Sequence, residues 1–230
     1  MSYELKFTTC ASGKTVETVE KKSRFIASVF PILGVDSAER CLQETRNLYA
    51  GANHHCFAYR VGIGVPIERF SDDGEPSGTA GRPILEVIRR QGVDNVLVVV
   101  TRYFGGVLLG ANGLVRAYTD AAAQGLAAAA KLQCGPMCDI SIRCDYSLYG
   151  KLEHALAGVG MLMRDPVFAE DVSFHITVDA DDAAAWAAKL TDWTNGQGQI
   201  GIGESRYVGV AEDGTLVYDV WPGIETRPEA

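Results

Sequence analysis

The chain has 230 residues, 47% of them hydrophobic and 22% charged, the balance of a globular protein large enough to bury a full core. That composition excludes collagen-like and wholly disordered chains, and the longest unbroken apolar stretch, Val96–Val100, falls far short of the ~20 residues that span a bilayer. The formal charge of −8 is unevenly placed, +2 up to Lys131 and −10 beyond it, which suggests two domains with different surfaces.

Residues 1–10 mix acid and base and contain no continuous apolar segment, so no secretory signal is read there and a cytoplasmic protein is expected. The alternation of residues 16–20 and 24–31 predicts two short strands joined by the basic turn Lys21-Lys22-Ser23. Asp36 is positioned to cap a helix with its apolar stripe on Ala38, Cys41, Leu42, Thr45, Leu48 and Tyr49, ended by Gly51. Residues 54–61 read as a strand, and residues 71–81 as a loop with three glycines, a proline and three carboxylates. A helix over 79–91 follows, with Pro83 tolerated in its first turn. Residues 95–102 form a β-branched apolar run suited to a strand buried on both faces. A glycine-rich stretch then leads into a long helix reaching about Lys131, with Leu114, Tyr118, Ala121, Gly125 and Leu126 on one face.

Gln133–Pro136 breaks the pattern and is taken as the boundary between a domain of residues 1–132 and one of 133–221, with 222–230 as a tail. Beyond it the order is strand 139–144, helix 148–157, strand 161–168, strand 172–178, helix 183–193 capped by Asp181 or Asp182, and strand 199–210. This βαββαβ order is the ferredoxin-like plan. Residues 216–221 could add an edge strand. The six cysteines (Cys10, Cys41, Cys56, Cys134, Cys138, Cys144) read as small buried hydrophobes, since Cys134 and Cys138 are too far apart for a CxxC pair and no second half-site follows.

Three places could carry chemistry. Arg102, Tyr103, Gly105, Gly106, Gly110, Gly113 and Arg116 put glycines and two guanidiniums at a helix start, where bared amides favour an anion or a nucleic-acid phosphate. Their spacing matches neither nucleotide fingerprint, so no cofactor is expected, and the glycines equally suit close packing. The loop bearing Asp72, Asp73, Glu75 and Thr79 is either a recognition surface or a turn in which Asp72 or Asp73 makes an Asx-turn and Ser77 or Thr79 caps the next helix. His54 and His55 adjoin it, but neighbours on a strand point to opposite faces and no metal site is expected. Trp186 and Trp193 repeat on one helix face and read as packing.

Together, Lys22–Ala27, the His54-His55-Cys56-x-Ala58-Tyr59-Arg60 run, the stretch Phe70–Leu85, and Arg102-Tyr103-Phe104-Gly105-Gly106 followed by Gly110, Gly113, Leu114, Arg116 and Tyr118 resemble the IMPACT family. The likeness covers about residues 16–130, and the remainder is similar to the C-terminal domain of the bacterial YigZ-like members. It implies an α+β chain, a ribosomal protein S5 domain 2-like domain followed by a ferredoxin-like domain similar to domains III and V of elongation factor G. Eukaryotic members restrain the stress pathway that phosphorylates initiation factor two, through a preceding partner-binding domain. Only about fifteen residues precede the shared region here, so that contact is not carried over, and the family offers no catalytic residues to transfer.

The expected function is therefore a non-catalytic binding protein linked to translation through the ribosome, RNA or a translation-related protein, with no membrane or DNA partner. Lys21, Lys22, Arg24 and Arg60 could assist phosphate contacts. The alternatives are an enzyme acting on a small anionic or phosphorylated metabolite, with Asp72, Asp73 or Glu75 as base or metal ligand, and a protein–protein adaptor that uses the acidic loop.

Overall fold

The computed structural model of the chain describes residues 6–11, 14–218 and 220. By contact density the chain divides into two units: the described residues up to Cys134 together with those from Gly209 onward, and Gly135–Val208.

In the first unit, β1 (Phe7–Cys10) precedes a hairpin of β2 (Lys14–Glu20) and β3 (Ser23–Pro31). Then come α1 (Val35–Leu48), β4 (His54–Val61), β5 (Ile67–Ser71), α2 (Gly81–Gln91), β6 (Val96–Tyr103) and α3 (Ala111–Ala128). Five of the strands form an antiparallel sheet in the order β2-β3-β6-β4-β5. β6 is central, and its alternation sorts its side chains between two cores. Val96, Val98 and Val100 join Phe25, Ala27 and Val29 of β3 beneath α2 and α3. Leu97 and Val99 face the other way, with Tyr59 and Val61, beneath Ala38 and Leu42 of α1.

The second unit takes in most of β7 (Lys131–Cys144), then α4 (Tyr146–Gly158), β8 (Arg164–Phe168), β9 (Val172–Asp179), a 3-10 turn at Ala180–Asp182, α5 (Ala183–Trp193) and most of β10 (Gln199–Ala211). The order β10-β7-β9-β8 is the ferredoxin-like arrangement of a βαββαβ chain. Ile140, Ile142, Phe174 and Ile176 pack against Leu152, Leu156 and Leu190 of the two helices, with Trp186 and Trp193 at the core edge. β11 (Leu216–Tyr218) pairs beside β10.

Several local expectations need correction. Gln133–Pro136 lies inside β7 and is no break in secondary structure, although the division between the two units falls within it, after Cys134. Residues 131–134 of that strand pair with β1 and Met137–Cys144 with β9, and Pro136 falls between these two runs. The N-cap of α1 is Gly34, with Asp36 in the first turn and Ser37 Oγ accepting from the Leu33 and Gly34 amides. Leu48 is exposed and Cys41 only half-buried, so the stripe of α1 is narrower than its spacing implied. β5 was not foreseen: its side chains are largely exposed, and it lies at the sheet edge without an apolar period. α3 ends at Ala128, and Lys131 already belongs to β7. Trp221 and the expected tail 222–230 lie outside the described residues.

Gly125 of α3 sits against β3 so closely that a Cβ there would lie 3.0 Å from Ala27 Cβ and 3.1 Å from Val29 Cγ2. Gly125→Leu should overpack this contact and cost about 1–3 kcal/mol, read as a lower urea midpoint with an unchanged slope.

Candidate functional site

The acidic loop folds back on itself because the Asp72 carboxylate satisfies three backbone amides, those of Gly78, Ala80 and Gly81, at 2.9–3.0 Å. Asp72 therefore caps α2, the task expected of Ser77 or Thr79, and the Thr79 hydroxyl instead donates to the Pro76 carbonyl at 2.6 Å. Asp73 turns the other way, in the left-handed region at φ 42°. Its Oδ2 accepts from the His55 amide at 2.6 Å, its carbonyl oxygen lies 2.8 Å from His54 Nδ1, and its Oδ1 lies 3.8 Å from Arg46 Nη2.

With both aspartates spent on the backbone, Glu75 is the carboxylate that turns inward. It is 8% exposed, and its Oε1 accepts from Arg102 Nη1 at 2.6 Å and from the Tyr118 hydroxyl at 2.7 Å. Arg102 is 5% exposed, with its guanidinium between the rings of Phe25 and Phe104 at 5.3 and 5.5 Å. Its Nη2 lies 3.3 Å from Ser23 Oγ, which also accepts from the Gly105 amide at 3.1 Å. Cys56 Sγ completes the chain, 3.3 Å from the Tyr118 hydroxyl and 3.0 Å from the Asp72 carbonyl. Burial holds the Cys56 thiol up at about 12 and raises Tyr118 as well, so neither ionises near neutral pH.

The glycine segment is shaped by this network. A Cβ on Gly105 would stand 2.0 Å from the Lys22 carbonyl carbon, so only glycine lets the loop pass under the β2–β3 turn. The Phe104 amide is taken by Asn53 Oδ1 at 2.8 Å. The loop then exposes Phe104, Val107 and Leu108, the last 83% exposed, before Gly110 starts α3. A cleft of about 410 Å³ opens here. Its lining combines the apolar Phe104, Leu108, Leu109 and Leu114 with Arg102, Glu75 and His54 and with Gly110 and Ala111. His54 Nε2 lies 3.9 Å from Glu75 Oε1. His55 is not among the lining residues, and burial is the main cause that lowers its imidazole.

Of the sequence candidates, the fold thus brings Arg102, Gly110, His54 and Glu75 to one cleft. Arg116 does not join them: it lines a separate depression with Lys21, Glu20 and Asp120, together with Gly113. The two arginines therefore do not form one clamp. Tyr103 donates to the Tyr49 carbonyl at 3.4 Å and lies under Arg24. Arg24 is paired with Glu17, and Arg60 with Asp94 and Glu68, which ties up two of the expected phosphate helpers. Among the described residues, no three of His, Cys, Asp and Glu stand together as metal ligands, and no helix is long and apolar enough to cross a membrane. Sequence reasoning missed Ser23, Asn53 and Tyr118 as site residues. The Tyr118 hydroxyl, placed on an apolar helix face, was a signal, because a buried phenol needs a partner.

These features define an α+β protein that pairs a ribosomal protein S5 domain 2-like unit with a ferredoxin-like one and carries a cleft beside a glycine loop. The chain belongs to the IMPACT family. Residues 21–126 match the Impact N-terminal domain, and residues 142–197 match a domain of unknown function (DUF1949). It is 36% identical to the IMPACT family member YvyE of Bacillus subtilis (strain 168), over 84% of this chain and 88% of that protein. It is 33% identical to the IMPACT family member YigZ of Escherichia coli (strain K12), over 83% and 94%. Protein IMPACT of Rattus norvegicus is 33% identical over 40% of this chain and 30% of its own length. A solved structure described as the crystal structure of an hypothetical protein aligns with a TM-score of 0.55 at 33% identity, covering 85% of this chain and 96% of that one.

One outcome follows from the buried pair and a second from the buried thiols. Glu75→Ala, which strands a buried guanidinium, should cost about 3–5 kcal/mol by denaturation, whereas Glu75→Met with Arg102→Met should cost clearly less. Stability should also be lost in alkali. Cys56, Cys10 and Cys134 are each raised from 9.0 to about 12. Below pH 9 these thiols are neutral in both states; between 9 and 12 the unfolded chain releases protons that the folded chain keeps, so unfolding is favoured as pH rises. Urea midpoints at pH about 8 and about 10.5 should show the fall, and Cys56→Ser should lessen it.

Proposed function

We propose that the chain is a non-catalytic binding protein that docks a protein of the translation machinery, on or off the ribosome, at the cleft beside its glycine loop. The observation that carries this reading is the meeting of exposed Phe104, Val107 and Leu108 with a cleft whose buried charge pair is already neutralised, Arg102 by Glu75. A cleft so built offers a partner apolar walls rather than free charge, and a cluster of exposed apolar side chains around a recess suits a protein contact. The setting in translation is taken from the family resemblance.

Phosphate recognition has less support, because Arg24 and Arg60 are held by acids and Arg102 is buried, which leaves Lys21, Lys22 and Arg116 as the exposed cations near the glycine loop. An enzyme reading draws on His54, whose Nε2 lies 3.9 Å from Glu75 in the cleft. Against it, Glu75 Oε1 already carries Arg102 and Tyr118, and the Cys56 thiol is held neutral by burial.

Co-sedimentation with ribosomes and with purified translation factors tests the proposal. The native chain should pellet with one of them, Leu108→Asp should lower the bound fraction by about tenfold, and Arg116→Ala should leave it unchanged. Binding lost in Arg116→Ala and steeply weakened by salt would indicate RNA instead. Full retention by Leu108→Asp would overturn the proposal.

A further inference from the structure

Two hydrogen-bond acceptors border the cleft with no donor between them. The Glu75 side chain is only 3% exposed, and its Oε1 accepts from Arg102 and Tyr118. Among the described residues none donates to its Oε2, and Oε2, unlike Arg102 Nε, is not sealed from solvent. This nearly enclosed side chain therefore keeps one open oxygen, on the cleft that Glu75 borders. His54 supplies the second acceptor. Its Nδ1 lies 2.8 Å from the Asp73 carbonyl oxygen, which can only accept, so the proton of the neutral imidazole sits on Nδ1 and Nε2 keeps its lone pair. Nε2 lies 3.9 Å from the Glu75 carboxylate, and no described residue donates to it.

We infer that the cleft takes a tyrosine side chain of the docked protein as its anchor, the ring against Phe104, Leu108, Leu109 and Leu114 and the hydroxyl donating to Glu75 Oε2 beside His54 Nε2. Once a partner excludes water, an acceptor left unpaired in an apolar cleft costs its desolvation, so the occupant must bring a donor. A cation is disfavoured, because the Arg102 guanidinium, 2.6 Å from the same carboxylate, already balances its charge. A neutral donor on a large apolar body meets both demands, and tyrosine and tryptophan are the side chains that combine them. Phenol bears its hydroxyl at the tip of the ring, where an almost wholly buried acceptor can be reached, whereas indole bears its N–H on the flank. The cleft, about 410 Å³, accommodates one such ring. Leucine or phenylalanine would fill the apolar part and leave both acceptors bare. This inference rests on the protein-docking reading and names the anchor of its partner.

Proton–nitrogen correlation NMR of the full chain tests it, with p-cresol, which is the tyrosine side chain alone, titrated alongside 4-methylanisole, 3-methylindole and n-butylamine. p-Cresol should shift the amide signals of Asn53, Phe104, Leu108 and Gly110 with a Kd on the order of 1 mM. 4-Methylanisole keeps the ring but has no donor, and should bind about tenfold more weakly. Leu108→Asp, at an exposed position, should abolish the p-cresol shifts with the melting temperature unchanged. Equal binding of p-cresol and 4-methylanisole, tighter binding of 3-methylindole or n-butylamine, or no shift of these amides at about 10 mM p-cresol would each overturn the tyrosine anchor. Failure of the docking reading is seen separately, as retention of ribosome or factor binding by Leu108→Asp.

Discussion

The ion pair between Arg102 and Glu75 is the interaction on which the cleft depends. Both side chains are almost fully buried, and burying two charges costs several kcal/mol each unless geometry and further hydrogen bonds offset it. The offset comes from distant parts of the chain: Ser23 at the start of β3, Tyr118 from the middle of α3, and the rings of Phe25 and Phe104 on the guanidinium. The pair therefore ties a hairpin, a loop, the central strand and a helix at one point. Ser23 extends the tie to the glycine loop by accepting the Gly105 amide, and the position of Phe104 and Leu108 follows from that anchoring.

Division of labour among the three loop carboxylates follows from the same constraint. Asp72 is consumed in capping α2 and Asp73 in binding the β4 backbone, which leaves Glu75 free to enter the core. Three acids within four residues would repel if all faced solvent on one side. Here each is sent to a different set of donors, Asp72 to amides, Asp73 to the His55 amide and Glu75 to Arg102 and Tyr118, so the repulsion is relieved by geometry.

How far the sequence discloses this arrangement depends on whether the signal is local. The β-branched run of β6, the stripe of α3 and the βαββαβ order of the second unit were legible because burial period and turn residues sit within a dozen positions. β5 was not, since an exposed edge strand has no apolar alternation to read. The capping role of Asp72 was hidden because the amides it satisfies lie six to nine residues away, beyond the usual capping spacing. At the site, the glycine loop and the acidic loop each stood out by composition. That Glu75 would meet Arg102, 27 positions on, is a fact of sheet register and helix packing that no spacing rule encodes. The arginines looked like a clamp because they flank the glycines in sequence, and the fold sends Arg102 inward and Arg116 outward.

The charge asymmetry then bears on what kind of partner the cleft can admit. A polyanion feels the whole surface, and the chain's formal −8 opposes it at any distance that salt does not screen. A protein partner that brings an apolar face feels mainly its contacts, because at physiological ionic strength screening confines the remaining field to roughly 8 Å. The exposed Phe104, Val107 and Leu108 act only on contact. An apolar docking surface is therefore compatible with an acidic protein in a way that an extended phosphate track is not, unless its cations are gathered on one face. Around the glycine loop, Arg24 and Arg60 are each spent on neighbouring acids and the buried Arg102 on Glu75, so the exposed cations there are Lys21, Lys22 and Arg116.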